Sequence, residues 1–414
     1  MVRSSLLSLA AAAALALTTA AGAAAARAAV PAATWQVLRS VSPAPTKVDD
    51  SFFSGVSMAS PGDGWAVGRF ANPQAVNQPL AEHWHGRAWR ITAPPAPPKN
   101  AAGSVLNGVD EVSTANVWAV GSLSLAAGGG RTLIEHFTGK SWAVVPSPNP
   151  FTGAGADDEL NGVGGTSGTD LWAVGFDFNP ASNVAQGLFA HFNGTTWKAA
   201  PPLSAPGIPA FAAVSAVSAN DVWAVGTDLN AFDSTLAAHW DGHTWRVVST
   251  PCLQGAKIIL QENGCTKNGN ELTGVAAVAA NNVWASGFET ENSGFHVPYV
   301  LHWDGTSWSL IKTPNTGNGQ GITGSSLFAI TAVSASDVWT VGHSQNADGT
   351  ITTLTEQFNG STWSVVPSPD PGLRGVDTLL GVASAGGGQL FAIGSDEQSG
   401  QCCLRTLGLR TTAG

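Results

Sequence analysis

The sequence predicts an all-β fold, a seven-bladed β-propeller with four antiparallel strands per blade, on three observations. One segment recurs: Trp65, Trp118, Trp172, Trp223, Trp284 and Trp339, with Phe391 in the last slot, are 53, 54, 51, 61, 55 and 52 residues apart. Fixed periods of this length belong to propellers and solenoids. Each repeat also divides into four short runs of strand character bounded by turn residues. Finally, the last repeat lacks its fourth run, and a matching run stands at the other end of the chain. Thr34-Trp35-Gln36-Val37-Leu38 has the pattern of Thr362-Trp363-Ser364-Val365-Val366. An N-terminal strand that completes the C-terminal blade closes the ring and leaves no free sheet edge.

The elements follow in order. Residues 1–28 read as a secretory signal peptide: Arg3 gives a basic start, Leu6 to Ala20 an apolar run, and Ala26-Arg27-Ala28 a cleavage site of small residues. Residues 29–414 are then expected to be a single propeller domain, extracellular and monomeric. No later apolar run reaches the roughly 18 residues of a membrane span. Charged residues are 11% of the chain, the net charge is −10, and the 18 Lys and Arg are scattered, which excludes nucleic acid as a partner. The four cysteines suit an oxidising compartment. Cys252 and Cys265 bracket one long loop and are the preferred disulfide; Cys402 and Cys403 are adjacent, either vicinally bonded or free.

Within a repeat, the first run is rich in small residues, as in Phe211 to Val217, and suits an inner strand where blades converge. A turn such as Ser218-Ala219-Asn220-Asp221 leads to the second run, Val222-Trp223-Ala224-Val225-Gly226, apolar throughout and so buried on both faces. The third run is Leu236 to Trp240. Asp241-Gly242 then turns into the fourth, Thr244 to Val248, and Asn193-Gly194, Asp304-Gly305 and Asn359-Gly360 repeat that hairpin. Trp35, Trp89, Trp142, Trp197, Trp245, Trp308 and Trp363 fill a fourth-strand slot, and Trp84, Trp240 and Trp303 a third-strand one. Each can bury about 150–250 Å², so the aromatic content is packing between blades.

The hairpin pattern, for example Asp304-Gly305-Thr306-Ser307-Trp308, resembles the Asp-box of secreted sialidase-like propellers, one residue shorter from Asp to Trp. With segments such as Asp221-Val222-Trp223-Ala224-Val225-Gly226, the whole repeat from 34 to 410 resembles secreted actinobacterial-type propeller repeats, often labelled kelch- or galactose-oxidase-like. The resemblance implies an extracellular role, often with glycans. Two departures limit it. The kelch Gly-Gly doublet is replaced by single glycines such as Gly121 and Gly226, and the one tyrosine, Tyr299, excludes the two-tyrosine copper chemistry of galactose oxidase. Tyr299, Arg69, Arg131 and Arg405 also lack the surroundings of a sialidase site.

Repetition separates scaffold from site. His83, His136, His191, His239 and His302, with Gln357, share one slot. Ring placement keeps them too far apart to bind one metal, so no metal centre is expected, and hydrogen bonds to the Asp or Asn of the first turn are. The second-to-third and inter-blade loops, such as Ser147–Glu159, Pro251–Glu271 and Asn315–Ser326, are long and open on one end, which is the candidate binding face. Beyond the second-strand glycine that face carries Asp177, Asp228, Glu289 and Asp396, then Asn179, Asn230, Glu291 and Gln398. Such a ring can contact a ligand, hold a structural Ca²⁺, or supply the acid and base of sugar chemistry; capping of the loop backbone is its plain structural role. Phe176 and Phe288 stand beside it. Asp110 and Glu111 replace small residues on an inner strand, His343 and His296 fall outside the repeated slot, and Asp157-Asp158-Glu159 reads as a solvated loop tip. No nucleophile elbow, phosphate loop or metal-ligand spacing is present. The expectation is a secreted, non-catalytic propeller without a cofactor that binds an extracellular glycan or cell-surface component. The alternative is a polysaccharide hydrolase or lyase using two of Asp177, Asp228, Glu289 and Asp396.

Overall fold

The computed structural model describes residues 33–412 except 39, 41–49, 154, 204–206, 230–233, 255–256, 260–268, 292, 315–321, 373–374 and 398–403. The expected signal peptide, Asn230, Cys265, Gln398, Cys402 and Cys403 lie outside the described residues, as does the side chain of Cys252. Among the described residues the regular elements are all strands, and no helix is long and apolar enough to cross a membrane.

After β1 (Trp35–Leu38), one sheet is built from β2 (Ser51–Ser60), β3 (Asp63–Ala71), β4 (Asn77–Trp84) and β5 (Trp89–Ile91) in that order. The chain continues through β6 (Ala101–Ser113), β7 (Asn116–Leu125), β8 (Gly130–Phe137) and β9 (Trp142–Val145). Next come β10 (Asp157–Ser167), β11 (Asp170–Asn179), β12 (Val184–Phe192) and β13 (Trp197–Ala199). A second four-stranded sheet contains β14 (Pro209–Ser218), β15 (Asp221–Asp228), β16 (Ser234–Trp240) and β17 (Trp245–Val248), followed by the ribbon of β18 (Cys252–Gln254) and β19 (Lys257–Ile259). Two more sheets are β20 (Gly269–Ala279), β21 (Asn282–Thr290), β22 (His296–Trp303), β23 (Trp308–Lys312), and β24 (Ile322–Ser334), β25 (Asp337–Asn346), β26 (Ile351–Phe358), β27 (Trp363–Val365). The last strands are β28 (Thr378–Ser384), β29 (Leu390–Glu397) and β30 (Leu404–Thr411), and β1 lies on β30 with Trp35 opposite Thr411 and Leu38 opposite Gly408.

The expected count of seven separate blades is corrected by the sheet topology. Five four-stranded sheets stand as separate blades, while β6 to β13 form one eight-stranded sheet. The joint is a parallel pairing of β10 with β8 through Asp157 and Gly130, supported by a 2.9 Å hydrogen bond from the Gly130 N–H to the Ala156 carbonyl. At the joint Gly129 has a φ of 83°, and a β-carbon there would run into the Ala156 carbonyl oxygen, so glycine at that position permits the two groups of strands to merge. The same joint corrects the reading of Asp157-Asp158-Glu159 as a loop tip: the three residues open β10, and Asp158 is fully buried.

The inner strands β2, β6, β10, β14, β20, β24 and β28 line a central channel. Each carries a register shift beside the second-strand glycine. There a β-carbon on Gly68, Gly121, Gly175, Gly226, Gly287, Gly342 or Gly394 would run into a backbone oxygen of the inner strand. A bulge pressed against a bare backbone explains the invariant ending of the Val-Trp-Ala-Val-Gly run. Between sheets, second-strand tryptophans meet the fourth-strand tryptophan of the following sheet edge to face, as in Trp172 with Trp245 at 5.1 Å and Trp223 with Trp308 at 5.2 Å.

Candidate functional site

The repeated polar residues hold the scaffold together. His83, His136, His191, His239 and His302 hydrogen-bond through Nε2 to Asp63, Asn116, Asp170, Asp221 and Asn282, and Gln357 donates to Asp337. Each of these imidazoles also lies on its own sheet's tryptophan, as in Trp118 with His136 at 3.9 Å. The inner strands are cross-linked as well. Asn107 donates to the Leu160 carbonyl at 3.0 Å, Asn161 to that of Phe211 at 3.0 Å, and Thr273 to that of Leu327 at 2.8 Å.

Asp110 belongs to this second set of links. Ser57 Oγ accepts from the Glu111 N–H at 3.0 Å, and Ser215 Oγ accepts from the Ala277 N–H at 3.0 Å. Asp110 occupies the same slot and accepts from the Gly165 N–H, which partly offsets the burial that raises its carboxyl to about 6. Glu111 turns the other way, accepts from the Ala59 N–H at 3.1 Å, and is pushed up to about 8 by burial and the neighbouring Asp63. Both bridge inner strands, and Asp110 also lines a cavity of about 430 Å³ at the short-turn end of the channel.

The acidic set lies inside the sheets rather than around a rim. Asp177, Asp228, Glu289 and Asp396 are 0%, 7%, 0% and 6% exposed. Asp228 Oδ1 accepts from the Ile208 N–H at 2.6 Å, which fixes the start of β14. Asp177 faces Asp158 across β10 and β11 and accepts from Gln186 at 3.3 Å; burial raises its carboxyl to about 6. Among the described residues no three His, Cys, Asp or Glu side chains gather as a metal site.

What the structure does bring together, at the long-loop end, is Phe288, His296, Phe328 and His343. The His296 ring stacks on Phe288 at 4.6 Å and 22°, Phe328 meets Phe288 edge-on at 6.0 Å, and His343 meets Phe328 at 5.2 Å. Hydroxyls orient both imidazoles through Nδ1: Ser326 Oγ at 2.7 Å from His296, and Thr378 Oγ1 at 3.3 Å from His343. Burial lowers both rings' pKa, and the neighbouring His296 adds to the effect at His343, which falls to about 4. Phe328, which also lines the channel, was not among the sequence candidates. Its signal was an aromatic ring in the slot that holds Ser54, Asn107, Asn161, Ala212, Thr273 and Leu380 elsewhere. Phe176 occupies the slot of Phe288 and His343 on another sheet, paired with Gly187 on β12.

No protein-family model and no curated protein matches the chain. Among solved structures it is similar to YCF48 from Cyanidioschyzon merolae, at 12% identity and a TM-score of 0.50, over 91% of this chain and 98% of that one. A protein of unknown function from Dyadobacter fermentans DSM 18053 matches at 12% identity and a TM-score of 0.52, over 93% and 100%. A fucose-specific lectin from Aleuria aurantia matches at 14% identity and a TM-score of 0.43, over 77% and 97%. At such identities the likeness is one of fold: the chain is a β-propeller.

Proposed function

We propose that the protein is an exported propeller that binds an extracellular carbohydrate at its long-loop end. The observation that carries the reading is the meeting of the partly exposed His296, Phe328 and His343 beside the channel, backed by Phe288, which is 6% exposed and lies beneath the His296 ring. Aromatic faces attract the C–H edges of a sugar ring, and a neutral imidazole both donates and accepts hydrogen bonds to hydroxyls. With their pKa values lowered, both rings are uncharged at neutral pH, which favours a neutral polyol over an anion. The exported location rests on the apolar run of residues 6–20 and its flanks. A polysaccharide-cleaving role would need two carboxylates open to substrate, and the acidic set is buried. The test is a glycan array with the mature protein and a Phe288→Ala/His343→Ala double variant. Retention of one sugar class more strongly by the parent than by the variant supports the reading; no retained sugar, or equal retention by the variant, refutes it.

A further inference from the structure

A second concavity lies at the opposite, short-turn end, between the sheets β20–β23 and β24–β27. It is a cleft of about 980 Å³, large enough for a short oligosaccharide, and its walls include Trp284, Phe358, Trp363, His302, Thr313 and Thr362. Two departures from the repeat open it. Among the fourth-strand tryptophans, Trp363 alone is only partly buried, whereas the others are 1–8% exposed.

The other departure concerns Thr313. In three sheets a hydroxyl just beyond the fourth strand is clasped by a threonine on the third: Ser147 with Thr132 at 2.7 Å, Thr250 with Thr235 at 2.8 Å, and Ser368 with Thr353 at 2.7 Å. Continuing the β22–β23 register, in which Tyr299 faces Lys312, puts Pro298 opposite Thr313. Proline offers no hydroxyl, so the clasp cannot form. Thr313 is 7% exposed and lines the cleft, and its hydroxyl turns instead toward the Glu356 carboxyl. That carboxyl is fully buried. A threonine hydroxyl released from the repeat's clasp, under an open aromatic wall, presents a polar group to an occupant of the cleft. Burial raises the Glu356 carboxyl to about 8, so at neutral pH it is an acid O–H that can donate as well as accept.

We propose that this cleft is a second carbohydrate site, in which a pyranose lies against Trp363 and turns a hydroxyl to Thr313. The inference rests on the reading of the protein as a glycan binder, but not on the same residues. The experiment is isothermal titration of the mature protein with cello-, chito-, malto-, xylo- and mannotetraose. It is repeated on Trp363→Ala, Trp363→Phe, Thr313→Val and the Phe288→Ala/His343→Ala variant, with circular dichroism to establish folding. The parent should show two sites for at least one tetraose. Trp363→Ala should weaken one of them by at least about ten-fold, as expected for loss of an aromatic anchor. Thr313→Val should weaken the same one, Trp363→Phe should largely retain it, and the double variant should leave it intact. Binding unchanged by both Trp363→Ala and Thr313→Val overturns this site while leaving the long-loop reading standing. Binding lost only in the cleft variants overturns the long-loop site instead. Failure of the parent to bind any of the five overturns both.

Discussion

Asp158 and Asp177 face each other across β10 and β11, and both are fully buried. Among the described residues only Arg131 approaches Asp158 as a counter-charge, with Nη1 at 3.8 Å, and both carboxyls of the pair are held above their ordinary range: Asp158 is pushed to about 7, by burial and then by Asp177, and Asp177 to about 6 by burial. Burial drives Glu135 and Glu356 to about 8 in the same way.

A stability profile with a fixed sign follows. Each of these groups has a folded pKa above its ordinary value, so the folded state binds more protons than the unfolded one. Their stabilising contribution is complete in acid, below the ordinary carboxyl range, and is lost as pH rises through about 6 to 8. The melting temperature should fall between pH 5 and pH 9. A melting temperature that climbs over that interval would contradict the assignment.

Glu135 allows the cause to be isolated. Among the described residues neither carboxyl oxygen has a hydrogen-bond partner, and Glu135 shares a strand face with Leu133 and Phe137. Glu135→Gln keeps the shape and removes the ionisation. It should leave the melting temperature at pH 5 nearly unchanged and raise it at pH 9, flattening the profile measured by calorimetry. A variant as pH-sensitive as the parent would show that the titration lies elsewhere.

The histidine slot predicts a different pattern. His239 is stacked on Trp223 at 4.4 Å and hydrogen-bonded to Asp221 at 2.8 Å. Replacing His239 with alanine should cost about 1–2 kcal/mol in denaturant unfolding, the worth of one hydrogen bond and one ring contact. Asp221→Asn should cost less, because Asn116 and Asn282 perform the same task in other sheets. Equal losses for the two substitutions would argue against this division.

Closure of the ring predicts the largest loss. Trp35 is 7% exposed, packs edge-on against Trp339 at 5.9 Å, and donates its indole N–H to Thr355 Oγ1 at 3.1 Å. Trp35→Ala should destabilise the protein by about 3–5 kcal/mol and expose the edge of β30, with aggregation visible by light scattering. A soluble variant of unchanged melting temperature would mean that β1 is dispensable.

The repeat itself was open to reading: the four runs, the histidine partners and the meeting of the N-terminal strand with the last sheet all follow from residues that recur at fixed offsets. The merging of β6 to β13 was hidden, because it depends on Gly130 and Asp157 coming together across an irregular loop whose path no local pattern encodes. The acidic set misled for a related reason. A carboxylate two positions past a strand reads as a loop residue, yet β11 runs on to Asn179 and β29 to Glu397, carrying Asp177 and Asp396 inside. Glu135 was overlooked although alternation with Leu133 and Phe137 marked its face. His343 was visible as a departure from the repeat and Phe288 as a neighbour of the acidic set, but only the packing of neighbouring sheets shows that they share a site.

Thr34 Oγ1 lies 2.6 Å from Thr412 Oγ1, so the first and last described strands begin and finish side by side. The molecule is thus indifferent to where its string is cut. Joining these two points by a short linker and opening the exposed turn at Asp304-Gly305 would yield a permuted protein with the same sheets, whose new termini project from the short-turn end, away from Phe288 and His343. A tether or reporter could then be carried on the side remote from the long loops.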